Sequence, residues 1–213
     1  ANVSHELRTP VTSIQGYAET LLRKDPPAET RQQFLEVIHR QAQRMGALVE
    51  QLLALSELEA RGRSDLALAV VNVSSVVKHV AETVARQADG RQMRVAVDVA
   101  ESLDVLGDPE GVERALLNLV ENAVKYGKDK GTVTVSARAS GGERGSVAIT
   151  VADDGEGIAG QHLPRLFERF YRVDSARSRQ NGGAGLGLAI VKHLVESMDG
   201  AIAVASTVGE GTR

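Results

Sequence analysis

The stretch DPEGVERALLNLVENAVKY, residues 108–126, decides how the chain is read. Asp108 followed by Pro109 is a helix start: a side chain that accepts from a free backbone N–H, then a residue whose missing N–H is not needed in the first turn. From there Val112, Leu116, Leu119, Val120 and Ala123 recur at helical spacing and mark an inward face. Asn118, Asn122 and Lys125 recur at i, i+4 and i+7 on another face, with Glu121 beside them. Asparagine is a mediocre helix former, so two of them one turn apart call for a reason. Amide oxygens suit Mg2+, which takes hard oxygen ligands shared with substrate phosphates. Lys125 could then meet a phosphate, and Tyr126 could offer its ring to a base. A solvated helix face accounts for the same pattern.

Working outward, the patterning predicts strands near 66–71, 94–99, 103–106, 132–138, 146–152 and 201–206, with further helices near 75–88 and 186–198. That mixed order implies an α/β sandwich, one sheet covered by helices on one face. Residues 1–61 read differently, as two helices broken at Asp25-Pro26-Pro27. The second repeats Leu35, Ile38, Ala42, Met45, Val49 and Leu52, and Leu48, Leu55 and Leu58 widen that stripe. Such width exceeds what one partner helix covers, which predicts a homodimer whose hairpins form a four-helix bundle. The other way to bury it is to pack the hairpin on the chain's own second half. Residues 62–65 are a short polar connector to an α/β unit over 66–213.

Several stretches carry chemistry. In the strand 147–153, period two places Asp153 on the face of Val147, Ile149 and Val151, where a carboxylate needs a donor such as the exocyclic amine of adenine. Gly155 and Gly157 follow, residues that allow a sharp turn and close approach to a flat ligand. Gly182-Gly183-Ala184-Gly185-Leu186-Gly187 runs into a helix, an arrangement that exposes N–H groups to an anion. It is not a Walker loop, since no Gly-Lys-Ser/Thr follows. Between it and Phe170 lies a polar stretch with Arg172, Arg177 and Arg179, the composition of a lid whose arginine could stabilise a transferring phosphoryl group. Near the N-terminus, His5 and Thr9 share a helix face, Glu6 lies about 100° around, and Pro10 leaves the Glu6 carbonyl without its N–H partner. A neutral imidazole is a competent nucleophile. Each of these has a plain structural alternative: a strand-end turn, a solvated loop, a solvated helix face.

Composition narrows the field. A net charge of -3 gives no electrostatic footprint for nucleic acid, and the absence of cysteine removes disulfides, thiolate metal sites and cysteine nucleophiles. No apolar run approaches the roughly 18 residues of a membrane span.

Taken in order, the motifs resemble the catalytic core of a two-component sensor histidine kinase. His5-Glu6-Leu7-Arg8-Thr9-Pro10 is similar to the phosphoacceptor box, and Asn118 to Tyr126 to the N box. Asp153-Asp154-Gly155-Glu156-Gly157-Ile158 is similar to the G1 box, Leu166 to Arg172 to the F box, and Gly183 to Leu188 to the G2 box. The resemblance implies a dimeric helical hairpin followed by an ATP-binding α/β sandwich of the histidine kinase and gyrase type. It implies ATP and Mg2+, with Asn118 and Asn122 toward the metal and Lys125, Gly183, Gly185, Leu186, Gly187 and Leu188 around the phosphates. Tyr126, Asp153, Gly155, Gly157, Ile158, Phe167, Phe170 and Thr212 would complete the nucleotide site. His5 would be the phosphorylated nucleophile, Glu6 its general base, Arg172 a phosphate-stabilising catalytic group and Thr9 the residue that orients water for receiver dephosphorylation. The implied partners are a second copy and the receiver domain of a response regulator. The chain would be the cytoplasmic part of a sensor anchored in a bacterial membrane through segments upstream, with its closing C-terminal strand cut short. Ala184 departs from the family's usual Thr or Ser. Two other readings stay in view: an ATP-driven clamp like the gyrase, MutL and chaperone relatives, which has no use for the His5 helix, and a nucleotide-binding scaffold without chemistry.

Overall fold

The computed structural model describes residues 3–24, 26–60, 66–100, 102–140, 146–173 and 185–213, and within its helices the side chains of Val3, His5, Glu6, Glu59 and Ala60 lie outside the description. Gly183, Ala184, Arg177 and Arg179 therefore fall outside the described residues.

Helix α1 (Val3–Arg23) runs through Pro10, which is buried. It packs antiparallel on α2 (Ala28–Ala60), and the Tyr17 and Phe34 rings meet at 5.0 Å between centroids. The break at Pro26-Pro27 is where the sequence puts it. Lys24 N–H bonds the Thr20 carbonyl, and Arg31 N–H bonds the Pro27 carbonyl, which closes one helix and opens the next.

The α/β unit contains two sheets. Strands β1 (Ala69–Asn72) and β3 (Asp104–Gly107) form an antiparallel pair of their own. The main sheet has the order β2 (Arg94–Val99), β4 (Thr132–Ser140), β5 (Ser146–Asp153), β7 (Gly211–Thr212), β6 (Ser206–Thr207). The single sheet expected from sequence is thus corrected to two, and the strand expected at 66–71 begins only at Ala69. Asn72 holds the small pair in place: its amide donates to Asp104 while its Oδ1 caps α3 (Val73–Asp89) through Ser75 N–H at 2.9 Å.

The strand expected at 201–206 is also corrected. Only Ser206 and Thr207 pair as β6, although 201–204 keep an alternating exposure. Ser206 opposes Thr212, and Ala205 exchanges both backbone bonds with Arg213, while residues 201–204 form no ladder.

Two helices cover one face of the main sheet. Val77, Val80 and Val84 of α3, Leu116 and Val120 of α4 (Pro109–Tyr126), and Val133 and Val135 of β4 share one core. Strand β4 shows why: its residues alternate between buried and part-exposed, so every second side chain enters that core. Asp108 caps α4 as expected, accepting from Gly111 N–H at 3.0 Å.

A second core joins the hairpin to the α/β unit. Leu48 and Leu55 of α2 are buried with Phe170, Leu186 and the residues Ile190, Val191 and Leu194 of α5 (Gly187–Ser197). The side chains that widen the α2 stripe are thus covered by the chain's own second half. That overturns the width argument for a dimer, while Leu22, Leu35, Val49 and Leu53 of the hairpin remain exposed. Among the described residues no helix is long and apolar enough to cross a membrane.

Replacing Leu116, 3% exposed in the first core, by Ala should lower the free energy of unfolding by about 2–5 kcal/mol in urea titrations. Val70→Ala, on the outer face of the small sheet at 74% exposure, should stay within about 0.5 kcal/mol of the parent.

Candidate functional site

The polar face of α4 opens into a cavity. Its lining includes Asn118, Asn122, Lys125 and Tyr126 from α4, Asp153, Gly157 and Ile158 after β5, and Phe167 and Arg172 from the segment that follows. Gly185, Gly187 and Leu188 come from the start of α5, and Thr212 from β7. The structure therefore gathers most of the predicted nucleotide residues from five separate stretches of chain. Gly155, Phe170 and Leu186 do not line the cavity. Phe170 and Leu186 are buried in the core shared with α2, so their part is to support the site. Thr9, on α1, is not part of that lining, and the side chains of His5 and Glu6 lie outside the description.

Lys125 stands at the end of α4 only because the last turn is held. Arg91, in the turn after α3, donates to the carbonyls of Val124, Lys125 and Gly127 and pairs with Asp129. A guanidinium here meets carbonyls that a helix end leaves without partners. Sequence reading missed Arg91; a basic residue after the Gly90 turn carries no signal of its long-range target.

The electrostatics follow from burial and neighbours. Burial lowers the Lys125 pKa, the charges of Arg172 and Arg44 lower it further, and Glu121 opposes them. The Glu121 carboxyl is raised by burial, with Lys125 acting against the rise. These cations converge in a chain whose net charge is -3, which makes the site a local anion receptor. Asp153 is raised by burial, while the N–H groups of Gly155 and Thr212 favour its ionised form and Asp154 disfavours it. Gly155 N–H reaches Asp153 Oδ1 at 2.8 Å and fixes the carboxylate at the cavity wall.

Asn118 donates its amide nitrogen to the Arg114 carbonyl at 2.9 Å, which turns Oδ1 away from its own helix. That oxygen is 3.1 Å from where a Cβ on Gly187 would stand. An amide oxygen held forward at the entrance of α5, beside Asn122, fits a hard divalent ion. Among the described residues no group of three His, Cys, Asp or Glu converges on a metal position, so an ion here would depend on these amides and on a ligand's phosphates.

The glycines act against the chain itself. Gly157 has φ +69°, and a Cβ there would lie 2.0 Å from the Thr207 carbonyl oxygen. The close approach read from sequence as room for a flat ligand is an approach to β6. Gly185, at φ +72°, would place a Cβ 2.9 Å from the Phe170 carbonyl carbon. Its own carbonyl accepts from Phe170 N–H at 2.8 Å, so the two ends of the polar lid stretch are pinned together. Phe170 holds φ +63°, a conformation costly for an aromatic residue and found where function or packing demands it. Beside it Tyr171 bonds His162 Nδ1 at 2.6 Å and lies under the Arg165 guanidinium at 4.3 Å.

An apolar limb of the cavity runs between β5 and residues 201–205. It is the gap left where β7 bridges β5 only at Thr212. Among the described residues, one lining residue comes from the hairpin, Gln51 of α2; its signal in the sequence is a polar residue inside an apolar stripe.

Comparison with known proteins agrees with this geometry. The sequence model of the histidine kinase-, DNA gyrase B- and HSP90-like ATPase family matches residues 107–213, and that of the His kinase A phosphoacceptor domain matches residues 1–61. The sensor-like histidine kinase SenX3 of Mycobacterium tuberculosis is 41% identical over 212 residues, which are 100% of this chain and 51% of SenX3. The crystal structure of full-length ShkA in complex with AMPPNP superposes with a TM-score of 0.69 at 31% identity, covering 99% of this chain and 43% of that one. Histidine kinase ThkA, in complex with the response regulator protein TrrA, shares the fold with a TM-score of 0.74 at 19% identity over 99% of this chain and 57% of that one. The chain spans about half the length of SenX3. With a phosphoacceptor hairpin leading into an ATPase-type α/β unit, it belongs to the sensor histidine kinase family.

Proposed function

We propose that this chain phosphorylates its own His5 from ATP and passes the phosphoryl group to an aspartate on a response-regulator receiver domain. In this reading residues 1–61 are the acceptor hairpin, 62–65 the connector and 66–213 the ATP-binding unit. The observation that carries it is one of height. Ten residues up each helix from the Tyr17–Phe34 contact stand Leu7 and Arg44, and His5 lies roughly 3 Å further at 1.5 Å per residue. Arg44 is also the α2 charge that acts on Lys125. The phosphate-binding end of the cavity thus rests against the hairpin at the level of the acceptor histidine.

The chemistry follows. Asp153 accepts from the adenine amine, and Tyr126, Ile158 and Phe167 flank the base. Asn118, Asn122, Lys125 and the N–H groups at the start of α5 hold the phosphates, with Gly183 in the same loop. A divalent ion bound by Asn118, Asn122 and the phosphates would neutralise charge as it develops on the triphosphate. The His5 imidazole attacks the γ-phosphorus in line, the bond to the bridging oxygen breaks, and ADP leaves. Glu6 takes the imidazole proton, and Arg172 stabilises the equatorial oxygens in flight. AMPPNP in ShkA and TrrA on ThkA support the ATP and receiver assignments by analogy. A second copy covers the apolar residues of the hairpin that stay exposed, giving a homodimer, and the parent sensor reaches the membrane through other segments. For the reverse reaction, Thr9, exposed one turn below His5, orients water on the phosphorylated receiver.

Incubation with γ-labelled ATP and Mg2+ should place acid-labile, base-stable label on the chain, and His5→Gln should carry none. Equal label on that variant would move the acceptor elsewhere. Thr9→Ala should keep autophosphorylation and lose receiver dephosphorylation, followed as release of phosphate from a labelled receiver; unchanged release refutes the role. Asp153→Asn should weaken adenosine binding about tenfold or more, the value of a hydrogen bond to a charged acceptor. The pH dependence has a defined sign. Burial raises the Asp153 pKa, so the carboxylate that the amine needs is lost on acidification at a higher pH than for a solvated aspartate. Wild-type adenosine affinity should therefore fall as pH drops through that raised value, and the Asn variant should show no such fall. Folding stability from this group runs the other way, present at low pH and lost as pH rises through the raised value.

A further inference from the structure

Arg44, Leu48, Gln51, Leu55 and Leu58 fall at i, i+4, i+7, i+11 and i+14, a single stripe along α2. Its four positions from Leu48 to Leu58 face the ATP-binding unit, and the charge of Arg44 acts on Lys125 there. Leu48 and Leu55 are buried against α5 and Phe170, Leu58 packs on the same core, and its carbonyl accepts from His193 Nε2 at 3.0 Å. Gln51 sits in the middle of this stripe and, among the described residues, is the one from the hairpin that lines the cavity shared with Asn118, Asn122, Lys125 and Arg172. Its Oε1 is buried and has no hydrogen-bond partner among the described residues. A buried amide oxygen with no donor is costly to keep. Leucine, the residue at neighbouring stripe positions, would pack there without that cost. The position calls for something in the cavity to meet the amide.

We propose that Gln51 is a nucleotide-site residue supplied by the hairpin, its amide oxygen serving as a further hard-oxygen donor to the cation–triphosphate unit, with Arg44 adding positive charge at the terminal phosphate. The inference rests on the ATP reading above and deepens it. Gln51 offers the same donor chemistry as Asn118 and Asn122, from another helix and from the hairpin that carries the acceptor side of the reaction. Arg44 lies one stripe step beyond Leu48, toward the level of His5, and acts on Lys125. A nucleotide carrying its γ-phosphate would then bind the two units together, and one without it would bind mainly the ATP-binding unit.

The test uses the whole chain and calorimetric titration with ATP, ADP and adenosine, in Mg2+ and in EDTA. Gln51→Leu should weaken ATP binding in Mg2+ about tenfold, the value of one bond to a charged group, and leave adenosine binding and ATP binding in EDTA unchanged. Its thermal midpoint without nucleotide should match or exceed the parent, because an unmet polar atom is removed. Arg44→Ala should weaken ATP more than ADP, and Arg44→Lys should restore most of the difference. Equal losses for ATP, ADP and adenosine would make Gln51 and Arg44 residues that only hold the units together, and overturn the proposal, as would unchanged ATP affinity. A parent chain that binds no ATP at all defeats the reading of the site itself; a parent that binds ATP with Gln51→Leu indistinguishable from it defeats this inference alone.

Discussion

Everything in the site depends on α4 meeting two opposed environments across one helix diameter. Leu116, Val120, Ala123 and Val124 are sealed into the sheet core, and this fixes the rotation of the helix to within the tolerance of close packing. The polar face then has no freedom to choose its direction: Asn118, Asn122 and Lys125 must point into the cavity. The C-terminal turn is the weak place in such a helix, because its carbonyls lack partners where Lys125 and Tyr126 are needed. Arg91 supplies three donors there. Its guanidinium thus links the core geometry of α3 to the position of the Lys125 ammonium in the cavity.

The lid base and the hairpin interface form a second dependent unit. Phe170 lies in a left-handed conformation, bonded to Gly185 and packed with Leu48 and Leu55 of α2. Strain of this kind persists only where surroundings over-determine it. Here the surroundings include a helix of the other unit, so movement of the ATP-binding unit away from α2 removes part of what holds Phe170 in place. Through that ring the residues before α5 are tied both to Gly185 and to α2.

Much of this was legible in the residues. The cap at Asp108, the two faces of α4, the face that Asp153 shares with Val147, Ile149 and Val151 and the break at Pro26-Pro27 all follow from local rules, and the structure repeats them. What was not legible depends on partners distant in sequence. The α2 stripe announced that Leu48, Leu55 and Leu58 needed cover, but a periodicity records burial and not the identity of the cover. Residues 201–206 have the alternation of a strand, yet strand status also requires a ladder, and 201–204 form none. The glycines of the turn after β5 were visible as a backbone requirement, whereas the atom that imposes it, the Thr207 carbonyl, is fifty residues away in the chain. Arg91 is invisible for the same reason, and Gln51 shows only as a polar residue inside an apolar stripe, without its target.

The position of Gln51 sharpens what a two-part enzyme of this kind must solve. A phosphoryl donor and its acceptor on separate units need an arrangement that forms when ATP is present and loosens when it is spent. Apolar contacts such as Leu48 and Leu55 against α5 cannot make that distinction, since they bury the same area with either nucleotide. Only groups that sense the terminal phosphate can bias the equilibrium, by as much as their affinity differs between the two ligands. A polar residue held among those leucines, open to the cavity and two stripe steps from an arginine, is the part of the interface with the chemistry to do so.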